Sequence, residues 1–142
     1  MEKNLLYFML GNVEMAKVST QYLINISDDM EFKKELLKDL SEYERFYNKI
    51  INLKKPEEKL KHISVFLKLM VKMGVARRTF GDKSPQKMSR MLIKGFKVGI
   101  DDIDENISKA IKLNENPEII ELAKEYKSCI VKSMNKYKQY IK

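Results

Sequence analysis

The stretch SPQKMSRMLIKGFKVGIDDIDENISKAIKL, residues 84–113, decides the fold class of this chain. Its apolar side chains recur every three or four residues, which is the spacing that places side chains on one face of an α-helix. Ser84 suits the N-cap position and Pro85 the first helical position, so the helix begins there. The stretch therefore predicts a long amphipathic helix whose inward face holds Met88, Leu92, Phe96, Ile103, Ile107 and Ala110.

The same periodicity continues on both sides of this stretch. Asp28, with Glu31 three residues later, predicts the N-terminus of a second helix, and Pro56 predicts where that helix ends. No stretch shows the strict alternation of apolar and polar residues that is typical of a β-strand. The sequence therefore predicts an all-α fold. Its five helices are predicted over residues 3–26, 29–54, 57–80, 85–113 and 117–141.

Length and composition favour one soluble domain over residues 1–142. With 44% hydrophobic and 34% charged residues, the chain has enough apolar material for a core. The single cysteine, Cys129, excludes an intrachain disulfide and therefore a secreted disulfide scaffold. The longest apolar run, Leu5–Leu10, is far shorter than the ~20 residues that cross a membrane, and no signal-peptide cleavage site follows it. We expect a cytoplasmic protein without a membrane span.

Four long helices, with a connecting segment between the second helix and the last pair, resemble the ferritin-like (rubrerythrin-like) superfamily. The resemblance covers most of the chain, as architecture. It rests on the stretches Asn12–Met15, Tyr43–Tyr47 and Gly99–Asp102, which look like the places where such bundles carry carboxylates. The resemblance implies an antiparallel four-helix bundle, with residues 57–80 as one additional helix.

The resemblance also implies where a metal would bind. Di-iron members of that superfamily use Glu-x-x-His motifs, whereas His62 is the only histidine here and belongs to no such motif. The candidate ligands are therefore the carboxylates of Glu44 and Asp102, with Asn12 beside them and iron or manganese as the metal. The alternatives are a boundary salt bridge for Glu44 and a solvated acidic face for Asp102. The function implied is a non-catalytic bundle that binds metal weakly or serves as a protein-interaction module, with a homo-oligomer as one form of partner.

Helical spacing also assigns individual side chains to faces. Glu14 projects away from the apolar stripe of the first helix, so we expect it to lie at the surface. Gly95 and Gly99 are predicted on the inward face of the fourth helix, where the absence of a Cβ would let a neighbouring helix approach closely. Room for a ligand is the alternative role of the two glycines.

The positive charge is concentrated in the middle of the chain. The net charge is +8, yet residues 54–98 alone hold 13 basic and three acidic side chains, a net charge of +10. The alternative function is therefore an anion- or nucleic-acid-binding protein that uses the basic surface of residues 54–98, with nucleic acid or an acidic protein as partner. The residues expected to bind the anion are Lys68, Lys72, Arg77, Arg78, Arg90, Lys94 and Lys97.

These cations are expected to line two helices. Lys68, Lys72 and Arg77 are predicted to form a stripe on the third helix, and Arg90 and Lys94 lie within a second stripe on the fourth. A solvated lysine face without a partner accounts for the same pattern. No aromatic residues alternate with the lysines, as they do in many proteins that bind single strands.

Overall fold

The computed structural model describes residues 5–54 and 65–141. In these two ranges the chain is helical apart from its turns, and no strand is present. The all-α prediction is therefore confirmed. The predicted beginning of the third helix after Pro56, together with His62, lies outside the described residues. The helices are α1 (Leu5–Ile26), α2 (Met30–Leu53), α3 (Val65–Thr79), α4 (Pro85–Lys112) and α5 (Pro117–Lys138).

Side chains of the expected types cap the helices. The Oδ1 atom of Asp29 accepts a hydrogen bond of 2.8 Å from the backbone N–H of Phe32, so Asp29 is the N-cap of α2 and the prediction of Asp28 was wrong by one residue. The Oγ atom of Ser84 accepts from the N–H of Lys87 and begins α4, as predicted. Each cap satisfies a backbone donor that has no partner inside its helix.

The helices pack most extensively as two sequence-adjacent pairs, α1 with α2 and α4 with α5. α1 also contacts α3, α4 and α5. α2 and α5 run in opposite directions, because Lys49 forms an ion pair with Glu125 whereas Asp39 contacts Tyr137 farther along α5. The long-range contacts of α2 and α5 therefore join the first pair to the second.

Two apolar clusters form the core, and α1, α2, α4 and α5 contribute to both. The larger cluster includes Met9, Phe46, Ile103 and Tyr126. The smaller cluster includes Leu23 and Phe32 and also receives Val75 from α3. α3 therefore covers the end of the core that lies near the C-terminus of α1.

Two face assignments made from the sequence were wrong. Glu14 is buried, with 7% of its surface exposed, because α1 is covered by all four other helices rather than by one side of a core. Gly95 is exposed, and a Cβ built on it would meet no atom within 4 Å. Gly99 is half-buried, and a Cβ there would lie at ordinary contact distance, 3.8 Å, from Nδ2 of Asn12. Close helix approach therefore does not require either glycine.

None of the helices in the described ranges is both long enough and apolar enough to span a bilayer.

Candidate nucleic-acid interface

The turn between α3 and α4 gathers positive charge. Arg77 and Arg78 lie in the last turn of α3, and Lys83 follows two residues after the end of the turn at Gly81. Gly81 has a φ of 79°, a left-handed conformation that glycine adopts without steric cost, and the chain reverses there. The Oδ1 atom of Asp82 accepts a hydrogen bond of 3.0 Å from the N–H of Ser84 and fixes the entry into α4.

The first half of α4 extends this charge along one helix face. Lys87, Arg90, Lys94 and Lys97 are spaced by three or four residues, so their side chains share a face. Arg90, Lys94 and Lys97 are exposed and Lys87 is half-buried. The stripe spans ten residues, which is about 15 Å of helix. The fourth helix therefore presents the cations predicted for it to solvent.

The stripe predicted for the third helix is divided. Lys72, Arg77 and Arg78 are exposed, whereas Lys68 is half-buried. Five residues separate Lys72 from Arg77, a rotation of about 140° around the helix. Arg77 therefore shares its side of α3 with Met73 and Phe80, and not with the two lysines.

The cations between Lys68 and Lys97 have no ion pair within 4.0 Å among the described residues. By contrast, Lys127 pairs with Asp104 and Lys109 pairs with Glu105 in the second half of α4 and on α5. Asp82 is the one acidic residue between positions 65 and 98. Hydrogen bonds from Ser84, followed by the charges of Lys87 and Arg90, hold the pKa of Asp82 below its usual value.

We call the set formed by Arg77, Arg78, Lys83, Lys87, Arg90, Lys94 and Lys97 the basic surface.

A pocket of about 630 Å³ opens beside the basic surface. It lies between the C-terminal ends of α1 and α3 and the turn that follows α3. Tyr22, Ile26 and Ala76 form part of its apolar lining, and Phe80 and Lys83 stand at the turn. The ring of Phe80 is 90% exposed, the most exposed of the large apolar side chains in the described ranges. Exposure of Phe80 could not be inferred from spacing, because it depends on where α3 ends.

The predicted metal ligands lie at the surface. Glu44 on α2 and Asp102 on α4 are both exposed. The Oδ1 atom of Asn12, the third candidate, accepts a hydrogen bond from the hydroxyl of Tyr126. Across the residues that the structure describes, no group of three or more His, Cys, Asp and Glu side chains could hold a metal ion.

A buried polar cluster joins α2 to α5, and sequence reasoning missed it. Asp39 is 5% exposed, and its carboxylate accepts hydrogen bonds from the hydroxyl of Tyr137 at 2.6 Å and of Ser133 at 3.1 Å. Lys136 Nζ lies 2.8 Å from the same carboxylate and 3.2 Å from that of Glu35. We call these five residues the Asp39 cluster. It lines neither described pocket, so we assign it to holding the helices together.

Charges and burial shift the pKa values of the Asp39 cluster. Burial acts to raise the pKa of Glu35, but the hydrogen bond and charge of Lys136 outweigh it and leave the pKa below its usual value. Burial, followed by the charge of Asp39 and the hydrogen bond to it, raises the pKa of Tyr137 far above its usual value. The cluster is therefore built for an ionised Glu35 and a neutral Tyr137.

Cys129 lies on α5 and is half-buried. Burial and the nearby charges of Glu42 and Asp39 raise the pKa of its thiol. A thiol with a raised pKa holds less of the nucleophilic thiolate at neutral pH. Cys129 is therefore a packing residue rather than an activated nucleophile.

No protein-family model, no curated protein and no solved structure matches this chain.

Proposed function

We propose that this protein is a non-catalytic helical protein that binds the phosphate backbone of nucleic acid through the basic surface. The observation that carries the proposal is the row of exposed cations on α4, Arg90, Lys94 and Lys97, which have no ion pair within 4.0 Å in the described ranges. Elsewhere on the described chain, lysines are commonly paired with a carboxylate. Unpaired cations in a row repel one another, and a polyanion removes that repulsion.

The shape of the basic surface favours an extended anion over a small one. Its cations follow one face of α4 for about 15 Å rather than converging on a point. Nucleic acid carries closely spaced negative charges along its whole length and releases condensed counterions when lysine or arginine neutralises them. Acidic proteins carry carboxylates less regularly, and for this reason nucleic acid is the partner that we propose.

For the fold, we propose the antiparallel four-helix bundle of the ferritin-like superfamily, with α3 as the additional helix. Three observations support this proposal. The helices α1 and α2 pair closely, as do α4 and α5. α2 and α5 run in opposite directions. The four helices other than α3 supply nearly all of the described core. The metal function of that superfamily has no comparable support, since Glu44 and Asp102 are exposed and lie in no cluster of ligands.

The proposed function is tested by fluorescence anisotropy with a fluorescein-labelled oligothymidine of about 20 nucleotides and with a labelled duplex of the same length. The variant Arg90→Glu/Lys94→Glu reverses two charges of the basic surface. The variant Lys124→Glu/Lys132→Glu makes the same change in net charge at exposed positions of α5. Circular dichroism confirms that both variants fold.

We expect binding to both oligonucleotides by the parent protein and by the α5 variant. The Arg90/Lys94 variant should bind at least about 10-fold more weakly, because each reversed cation removes one phosphate contact and adds repulsion. Equal losses in the two variants would mean that only net charge matters. That result, or no binding by the parent, would refute the proposal.

A further inference from the structure

We infer that the nucleic acid bound by this protein is single-stranded, with an unpaired base stacked on the ring of Phe80. The inference rests on the proposed function and adds the form of nucleic acid to it. It starts from the position of Phe80, which is 90% exposed at the end of α3. In the sequence, Phe80 stands between Arg78 and Lys83, two cations of the basic surface.

Phe80 lies in an unusual setting for an exposed apolar residue. Together with Tyr22 it lines the pocket of about 630 Å³, so two aromatic side chains border the same space. Ile26 and Ala76 supply an apolar wall, and Lys83 supplies a cation at the rim. This volume is in the usual range for small-ligand sites, and a nucleobase with its sugar is smaller than that.

The chemistry of this pocket fits a nucleotide better than a duplex. A flat ring and an adjacent phosphate require an aromatic surface beside a cation, and Phe80 with Lys83 provides both. Bases in a duplex are already stacked and paired, so they reach an aromatic side chain only after an energetic cost. Unpaired bases stack on aromatic residues with little dependence on sequence, while cations follow the backbone. From the pocket, the cations of α4 continue in one direction along the helix.

An acidic peptide is the competing occupant of such a surface, since apolar and cationic groups also recognise acidic helices. The observations favour the nucleotide for two reasons. The pocket is bordered by rings rather than by the aliphatic groove that receives a helix. The cations of α4 are aligned along one face, as a phosphate backbone requires.

The experiment compares an oligothymidine with a duplex of the same length. Phe80→Ala should weaken binding of the single strand by about 5- to 150-fold, the range for one lost base–aromatic stack, and should leave duplex binding unchanged. Met73→Ala is the matched control, because Met73 is an exposed apolar residue of α3 that does not line the pocket. It should change neither affinity. Phe80 is exposed, so its removal should not prevent folding.

A second readout reports stacking directly. The chain contains no tryptophan, so Phe80→Trp introduces a single fluorophore at the pocket. We expect Phe80→Trp to retain single-strand affinity and its emission to be quenched when oligothymidine binds, whereas the duplex should leave the emission unchanged.

The outcomes separate this inference from the function on which it rests. Binding of both oligonucleotides that depends on Arg90 and Lys94 but not on Phe80 would overturn the inference and leave the proposed function standing. No binding of either oligonucleotide would overturn both. Displacement of the oligothymidine by poly-glutamate at equal affinity would identify an acidic protein as the partner, and would also overturn the inference.

Discussion

The carboxylate of Asp39 on α2 accepts a 2.6 Å hydrogen bond from the hydroxyl of Tyr137 on α5, and both residues are buried. The two positions are 98 residues apart in the sequence. Ser133 and Lys136 donate to the same carboxylate. A buried carboxylate with this many donors is costly to disturb, because removing one partner leaves the others without theirs. The contact therefore gives the first stability prediction.

Asp39→Asn should lower the free energy of unfolding by about 2–3 kcal/mol, because it removes the charge that three donors share. The measurement is urea denaturation followed by circular dichroism. Asp101→Asn removes a carboxylate of the same type at an exposed position of α4 and should change stability by less than about 0.5 kcal/mol. Similar values for the two variants would contradict the role given to the Asp39 cluster.

Alkaline pH should unfold the protein through its buried tyrosines. Burial raises the pKa of Tyr43, Tyr126 and Tyr137 above the usual value near 10. The unfolded chain releases these protons above about pH 10 while the native state keeps them, so stability is complete below pH 10 and is lost as the pH rises. The loss should be about 1.4 kcal/mol per tyrosine and pH unit. Absorbance at the tyrosinate band should rise for these residues only at unfolding. A smooth titration of all seven tyrosines without unfolding would contradict this prediction.

Ser84→Ala should destabilise the protein by about 1 kcal/mol, because the backbone N–H of Lys87 loses the acceptor that caps α4. The midpoint of thermal unfolding measures the effect. Ser108→Ala is the matched control at an exposed position inside α4, where alanine is the better helix former, and it should be neutral or slightly stabilising. An unchanged midpoint for Ser84→Ala would show that the cap contributes nothing.

Binding to oligothymidine should weaken steeply with salt. If about five cations of the basic surface contact phosphates, the logarithm of the association constant should fall with the logarithm of the salt concentration with a slope of about −3.5. Lys94→Gln should reduce the steepness by about 0.7, whereas Lys132→Gln on α5 should not change it. Anisotropy titrations at several salt concentrations give the slopes, and identical slopes for the two variants would exclude a phosphate contact at Lys94.

Replacing the exposed carboxylates should not alter the metal content of the purified protein. Glu44→Gln and Asp102→Asn each remove a side chain that lies in no described group of three or more ligands. Inductively coupled plasma mass spectrometry after growth with iron and manganese is the measurement. A near-stoichiometric metal in the parent protein that disappears in Glu44→Gln would restore the metal hypothesis.

The helices and their caps could be predicted from the sequence because they depend on local patterns. Ser84, Pro85 and the apolar periodicity of α4 act within a few residues of one another. The Asp39 cluster depends instead on which helix packs against which. The signal was present, since Asp39 lies three residues after Leu36 and four before Tyr43, both buried. An aspartate inside such a spacing indicates a buried carboxylate that needs partners.

The candidate site was predictable in part for the same reason. The cations of α4 share one helix face, and spacing alone assigns them to it. Phe80 could not be assigned, because its exposure follows from the end of α3 at Thr79 and from the turn at Gly81. Glu14 shows the opposite case, since a helix with neighbours on every side buries residues that an amphipathic pattern assigns to solvent.

The Asp39 cluster also has a consequence for the relative alignment of the two helix pairs. Apolar side chains attract one another at many offsets, so a shift of α5 along α2 by one turn, about 5.4 Å, would still pair apolar surfaces. The same shift would take the Asp39 carboxylate away from Tyr137, Ser133 and Lys136 together, leaving a buried charge without donors. We expect the double variant Asp39→Leu/Lys136→Leu to remain helical but to show doubled or broadened amide resonances. One sharp set would show that the apolar clusters alone specify the offset.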